Sequence, residues 1–363
     1  MDALIVAGGR GTRLQPLTYT TMKPLLPFCG TPFLIGLVAR LVAAEVDRVL
    51  LVVGDDTSPF EVLRDPLREL GAELALVPEP EPLDTAGGVR SVVSELSDDV
   101  LVLNGDILTD LDYAATVRRH REAGADATIA LTRVDDTSSY GVCVRDGTRI
   151  VEFVEKPPTG TLPGQDAVNA GTYVLDPDVL LTFEQGPLSF ERDVFPGILA
   201  DGGHIEGFVW EGVWADLGTP ERFRDGHRLA LSRELGWPPL DEVPERSPGV
   251  RVAPEAQVDA DAIVVPPVLI LDGARVEAPA TVGPYAVVGR GVTVGAGATI
   301  ADTVLFDDVE VGDGVAAFSL LAGEGVSIEP GVRLGSGNVL GAGEHLRSGE
   351  LLRDGERVPP AER

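Results

Sequence analysis

Lysine is nearly missing from this sequence. Among 363 residues only Lys23 and Lys156 carry it, each followed by proline, and arginine supplies the rest of the positive charge. Acids still outnumber bases, and the formal net charge of −29 argues against nucleic acid or an anionic membrane as a partner. Two cysteines, Cys29 and Cys143, cannot build a disulfide framework and read as thiols of a reducing, cytoplasmic compartment. No apolar run approaches the length of a membrane span. The opening MDALIVAGG places an acid, Asp2, before a short apolar stretch, which reads as a buried strand and not as a targeting peptide. Asparagine stands only at 104, 169 and 338, and histidine at four positions, none of them in a motif. Such scarcity makes each survivor informative.

What is present is a large apolar fraction, 44%, in a chain long enough for two cores. Short β-rich runs at 3–7, 48–54, 72–78, 99–106 and 126–134 alternate with helical patterns near 32–44, 58–70, 84–96 and 110–123. Continuous Val/Leu/Ile strands separated by helices predict a mainly parallel α/β sheet covered on both faces. From 140 to 212 the pattern turns strand-rich, with one helix around 190–201, and a last helix at about 219–235 closes a first domain, 1–235. The polar, Pro-rich stretch 236–250 is predicted to be a linker. Beyond it, an apolar residue leads every six from Val282 to Val311 in VGPYAV, VGRGVT, VGAGAT, IADTVL and FDDVEV. Five hexads in register predict a parallel β-helix over 251–345. Residues 346–363 read as a polar tail.

The first chemical constellation directly follows the first strand: Ala7-Gly8-Gly9-Arg10-Gly11-Thr12-Arg13-Leu14. Glycines there let backbone N–H groups close on phosphate oxygens, and Arg13 adds a fixed charge for a triphosphate. A Walker A loop is excluded because no Gly-Lys-Ser/Thr follows, and a dinucleotide fingerprint because Leu14 stands where its third glycine belongs.

The run GGRGTRLQPLT…KPLLP resembles the signature of the sugar nucleotidyltransferases, the nucleotide-sugar pyrophosphorylases. Four further segments match that family in order: Asn104-Gly105-Asp106, Phe153-Val154-Glu155-Lys156-Pro157, Asn169-Ala170-Gly171-Thr172-Tyr173 and Trp214-Ala215-Asp216-Leu217-Gly218-Thr219-Pro220. The likeness covers residues 1 to about 235, and with the hexads the layout looks like the mannose-1-phosphate guanylyltransferase branch and its glucose-1-phosphate relatives. It implies a Rossmann-like nucleotidyltransferase domain followed by a left-handed parallel β-helix. The implied reaction joins a nucleoside triphosphate to a sugar 1-phosphate with release of pyrophosphate.

Roles follow from the same resemblance. Ala7, Gly8, Gly9, Gly11, Thr12, Arg13, Glu79, Asp84, Gly88 and Asp106 are expected to hold the nucleotide, with Arg13 and Lys23 stabilising charge during the reaction. Gly141, Glu155, Lys156, Asn169 and Gly171 are expected to hold the sugar phosphate. Asp106 and Asp216 are expected to bind Mg²⁺, and two carboxylates with little else suit that ion, which keeps waters and takes further ligands from phosphates. Glu155 and Lys156 would point to opposite faces of a strand unless a bend intervenes, and the Pro pair that follows is predicted to supply it. A phosphate monoester dianion needs no general base, which fits the scarcity of histidine.

Base choice should be written in Pro78 to Gly88, where Asp84 occupies a position at which the guanylyl branch typically has glycine. Two acceptor carboxylates, Glu79 and Asp84, would suit the N1–H and N2–H₂ donors of guanine, so GTP with mannose 1-phosphate is expected first, with thymidylyl, uridylyl and adenylyl transfer to glucose 1-phosphate behind. A non-catalytic regulatory subunit that binds nucleotide sugar is the alternative class, and it would be expected to lose Arg13, Asp106, Lys156 or Asp216, all present. Acyl transfer is disfavoured because the coils lack histidine before His345. The β-helix is therefore expected to serve homo-oligomerisation, and a chain ending near Leu240 to keep some activity.

Overall fold

The computed structural model describes residues 1–96, 99–134, 136–138, 140–158 and 166–359, with Glu155 by its backbone alone. It divides into two compact units, Met1–Gly9 with Leu37–Trp214, and Arg10–Gly36 with Ala215–Arg363. Most of the signature loop, expected within a domain spanning 1–235, clusters here with the C-terminal repeats.

The first unit is built on a nine-stranded sheet. Its strands are β1 (Asp2–Val6), β2 (Arg48–Gly54), β3 (Glu73–Glu79), β4 (Val100–Asn104), β5 (Ala127–Arg133), β6 (Gly141–Asp146), β7 (Arg149–Glu155), β8 (Ala167–Leu175) and β9 (Ile205–Val209). The order across the sheet is β3-β2-β1-β4-β8-β5-β9-β7-β6. The first four strands are parallel, and β8 then runs antiparallel to both β4 and β5. The sheet is therefore parallel on one side and mixed on the other. Strands β2 and β4 are nearly continuous in Val and Leu because both faces are covered, and Val49 to Val53 are all at most 1% exposed. Helices α1 (Phe33–Ala43), α2 (Arg64–Leu70), α3 (Asp84–Ser91), α4 (Tyr113–Ala123) and α5 (Phe195–Ala200) fall where the sequence pattern places them. The Asp112 carboxylate caps α4 by accepting from the Ala115 N–H at 2.8 Å, and Gly124 ends the helix in the left-handed region. Two sheet features position the site. The chain reverses its strand order between β1 and β4, and β1 through β4 present their carboxyl ends along one edge, with Val6 beside Asn104 and Gly54 beside Glu79.

In the second unit successive turns of chain stack strands into three sheets of eight, six and four strands, parallel except for the first pair of the largest. Inward side chains follow at six-residue steps from Val252 through Val276, Val294 and Ile300. The step then shortens to five, so that Leu305 turns inward where the hexad frame expects Phe306. Phe306 faces Phe223 instead, with ring centroids 6.4 Å apart. A second short step, Ala317 to Ala322, is followed by sixes through Leu340, Leu346, Leu352 and Val358. The expected polar tail is therefore coil at least to Val358, and Arg357–Val358 pairs with Val339–Leu340. The expected linker is also packed structure: Pro238–Asp241 is a helical turn, Glu245–Ser247 pairs with Val250–Val252, and Trp237 is 2% exposed.

One of the three sheets is apolar on both faces. Its outward residues Leu269, Val287, Val304, Leu321 and Val339 are no more than 2% exposed. Within this unit the Leu271 side chain abuts Gly30, and Arg290 donates to the Gly30 carbonyl. Helix α6 (Pro220–Leu231) reaches the shortened corner through Arg224 and Arg228, which both pair with Asp302. Its other face buries Phe223, His227, Ala230 and Leu231 at helical spacing.

His227 is locked neutral in that core. Its Nδ1 donates to the Phe223 carbonyl at 2.9 Å, so its Nε2 is left to accept from the Cys29 N–H at 3.2 Å. A proton on Nε2 would set two donors against each other, and burial pushes the group down to about 4. The unfolded chain therefore binds more protons between that value and about 6.5, and stability falls as pH drops through this window, by roughly 3 kcal/mol in all. Urea unfolding of the wild type and of His227→Gln should diverge from pH 7 to pH 4.5, with the wild type losing more. Parallel curves would contradict the assignment. Among the described residues no helix is long and apolar enough to cross a membrane.

Candidate active site

In the first unit the carboxyl edge of β1 to β4 gathers the nucleotide residues. Ala7 and Gly8 leave β1 at the point where Gly105 and Asp106 leave β4, and the Gly105 N–H donates to the Val6 carbonyl at 2.9 Å. The Ala7 N–H donates to Val52 at 2.8 Å, which leaves Gly8 and Gly9 to turn outward. Glu79, the last residue of β3, lies between two glycines. A side chain on Gly88 would collide with its Oε1, and one on Gly8 would start 3.3 Å from its Oε2. Glu79 Oε1 is buried without a hydrogen-bond partner. Burial, with a smaller push from the charge of Asp84, raises this carboxyl above its ordinary range.

Asp84 does not join Glu79 as a second open acceptor. One of its oxygens is taken by Arg192 and the other accepts from the Thr85 N–H at 2.8 Å. Its φ of 63° lies in the left-handed region, which explains why glycine suits this position and why aspartate is among the few tolerated replacements. The expected carboxylate pair is thus reduced to one carboxylate, Glu79, facing α3.

The sugar-side residues cluster on β6, β7 and β8. Gly141 begins β6 directly opposite Glu155, whose side chain lies outside the described residues. The bend expected from the proline pair occurs one residue earlier: Lys156 itself has φ 46°, and its N–H donates to the Tyr140 carbonyl at 3.1 Å. On β8 the register breaks between Asn169 and Tyr173. Gly171 sits in that bulge at φ 73°, and any side chain there would strike Asn104 Nδ2 at 2.6 Å. Asn169 accepts from the Gly171 N–H and donates to the Tyr173 hydroxyl, each at 2.8 Å. Tyr173 donates onward to Glu191, which also accepts from Thr85 and Ser189. Trp214 closes this wall, donating to the Ala170 carbonyl at 2.9 Å and meeting Tyr140 edge to face at 5.4 Å. Glu191, Tyr140 and Arg192 escaped the sequence reading. The scarcity argument had no purchase on glutamate and arginine, and Thr85 to Glu191 is a contact across 106 positions.

In the second unit Gly11, Thr12, Arg13, Lys23 and Asp216 form the other group. Gly11 has φ 60°, and the Thr18 hydroxyl donates to its carbonyl at 2.9 Å, closing the loop on itself. Thr12–Leu14 is a single 3-10 turn. A Cβ on Gly11 would lie 3.0 Å from Lys23 Cβ, so the lysine stem packs against the loop. Asp216 Oδ1 and Arg13 Nη2 lie 2.6 and 2.8 Å from where a side chain on Gly218 would begin. Asp216 Oδ2 accepts from Arg222 at 2.8 Å, whereas Oδ1 is buried without a partner. A carboxylate oxygen kept unpaired beside an arginine suits a cation ligand that bridges to phosphate. Among the described residues no group of three or more His, Cys, Asp or Glu gathers as a metal cage.

The sequence model of the nucleotidyl transferase family matches residues 2–233, and that of the GMPPB C-terminal domain matches residues 263–360. A mannose-1-phosphate guanylyltransferase of Mycobacterium tuberculosis is 38% identical over 292 residues, 78% of this chain and 77% of that protein. The catalytic subunit beta of mannose-1-phosphate guanylyltransferase from Xenopus tropicalis is 37% identical over 237 residues, 64% of this chain and 65% of that one. Among solved structures, HddC from Yersinia pseudotuberculosis superposes with a TM-score of 0.53 at 28% identity, covering 62% of this chain and 97% of that one.

Proposed function

This chain belongs to the nucleotidyl transferase family, and from that membership we propose that it joins GTP to mannose 1-phosphate, forming GDP-mannose and releasing pyrophosphate. The observation that carries the choice of base is Glu79, a half-buried carboxylate whose Oε1 is buried without a partner beside the glycines of the nucleotide edge. One carboxylate has two oxygens, and guanine offers two adjacent donors, N1–H and N2–H₂, so a single side chain can accept both. Pyrimidines would present carbonyl oxygens to the same group and lose a hydrogen bond on each side, which costs about 1–3 kcal/mol per mismatched buried pair.

An oxygen of the sugar 1-phosphate attacks the α-phosphorus in line, the bond to the bridging oxygen breaks, and pyrophosphate leaves with the electron pair. The nucleophile is already an anion, so no residue need remove a proton. This chain's part is to align two phosphates and offset their charge. Backbone N–H groups from Gly8 to Thr12 face the triphosphate, Arg13 and Lys23 stabilise the charge that develops, and Lys156 meets the sugar phosphate. Glu155 and Asn169 take sugar hydroxyls, with Gly141 and Gly171 permitting close approach. Asp106 and Asp216 would hold Mg²⁺, which supplies further positive charge to the triphosphate oxygens when bound.

The coil domain is taken as left-handed, and self-association as a homo-oligomer is assigned to the faces that the chain itself leaves open, where Ile263 and Phe318 are 57% and 47% exposed. The reaction is placed in the cytoplasm, in keeping with two buried free thiols.

A panel of nucleoside triphosphates tests the reading. GTP is expected to lead UTP, dTTP and ATP by at least about tenfold in kcat/KM, and Glu79→Gln to narrow the gap to UTP and dTTP, because an amide matches their acceptor–donor edge. A wild-type preference for another base would overturn the assignment to guanine while leaving the transfer reaction standing.

A further inference from the structure

The final coil of the second unit reaches the loop that carries Arg13. Arg357 stands on the last strand of the apolar-faced sheet. Its Nη1 donates to the carbonyl of Arg13 at 2.9 Å and to that of Gln15 at 3.1 Å, across 344 and 342 positions of sequence. This nitrogen carries two hydrogens, so each carbonyl can have its own. The two carbonyls flank the end of the 3-10 turn Thr12–Leu14, the turn from which the Arg13 side chain extends over Gly218. Arg357 is also felt at the start of α6, just after the Asp216 motif. The Glu221 carboxyl there is held below its ordinary range by its own backbone N–H first, with the charges of Arg357 and Arg224 adding to that.

We propose that Arg357 is a positioning residue for the triphosphate site, fixing the backbone of the Arg13 turn from the last rung of the coil. The hydrogen bonds within this turn run from Leu14 N–H to the Gly11 carbonyl at 2.9 Å and from Gln15 N–H to the Thr12 carbonyl at 3.2 Å, and neither uses the carbonyl of Arg13 or of Gln15. The Arg357 fork holds the two carbonyls that this turn leaves open and thereby sets the direction of the Arg13 guanidinium. Arg13 meets the triphosphate and not the sugar phosphate, so the effect should fall on one substrate. Triphosphate affinity then depends on the coil being complete to residue 357, a dependence invisible in a sequence where this segment reads as tail. The proposal rests on the nucleotide role given to Arg13 above.

The test compares Arg357→Ala, Arg357→Lys and Arg347→Ala in the full-length protein. Arg347 belongs to the same terminal stretch, but its charge acts on Glu329. Steady-state kinetics give KM for GTP and for mannose 1-phosphate, calorimetry gives GTP binding without turnover, and thermal melts report folding. Arg357→Ala is expected to raise the KM and Kd for GTP about tenfold, the loss of two hydrogen bonds from a charged group. The KM for mannose 1-phosphate and the melting temperature should stay near wild type. Arg357→Lys should recover part of the loss, and Arg347→Ala should show none. Unchanged GTP binding in Arg357→Ala would overturn the proposal, as would an equal loss on both substrates or the same loss from Arg347→Ala. If the wild type bound GTP but formed no GDP-mannose, the proposed reaction would fail, and the binding comparison would still decide the role of Arg357.

Discussion

Replacing Asp216 by asparagine is expected to lower turnover by about two to three orders of magnitude, the usual effect of removing a major electrostatic stabiliser from an active site, with folding intact. The substitution keeps shape and leaves an oxygen to accept from Arg222, which now pairs with Oδ2 at 2.8 Å. What it removes is the negative charge behind Oδ1, the buried oxygen without a protein partner. Because the side chain is only 17% exposed, water replaces that charge poorly. The loss should persist at saturating Mg²⁺ if the carboxylate orients the ion as well as binding it. Near-normal turnover of Asp216→Asn at high Mg²⁺ would remove Asp216 from the metal role and leave its pairing with Arg222 as its only function.

The second large effect concerns the coil. A chain ending at Leu240 is expected to lose activity by about a thousandfold or more and to melt without a cooperative transition. This reverses the expectation from sequence that such a chain keeps some activity. The reason lies in the second unit alone. Within it Leu271 abuts Gly30, Phe306 meets Phe223, and Arg224 and Arg228 both pair with Asp302. The same unit contains residues 10–36, with the Arg13 turn and Lys23, and the helix that follows Asp216. Removing the coil takes away what Gly30 and α6 pack against. A monomeric 1–240 chain that melts cooperatively and turns over within about tenfold of wild type would restore the view of the coil as an oligomerising appendage.

Much of this was legible in the residues. Strand β1 and its glycine loop declare themselves because a buried parallel strand must be apolar throughout and a phosphate loop must be nearly free of side chains. The hexads show the coil because stacked turns bury one aliphatic residue every six. The failures have physical causes of the same kind. The short steps at Leu305 and Ala322 break a strict period, so the frame ran one residue out at Phe306. The tail looked polar because its exposed arginines and glutamates outnumber the few inward residues, Leu346, Leu352 and Val358. Asp84 looked like an open acceptor because the arginine that engages it lies 108 positions away, beyond any local pattern. The proline-rich stretch 236–250 looked like a linker because proline marks both open chain and tightly packed corners, and only the burial of Trp237 and Leu240 separates them.

The central claim is that this chain transfers a nucleotidyl group from a triphosphate to a sugar 1-phosphate, and the most direct measurement follows both products at once. Purified protein would be mixed with GTP, mannose 1-phosphate and Mg²⁺, with pyrophosphate assayed enzymatically and GDP-mannose by chromatography. The account predicts the two products in equal amounts, formed only when both substrates are present. Inorganic phosphate in place of pyrophosphate, or pyrophosphate released without mannose 1-phosphate, would contradict it.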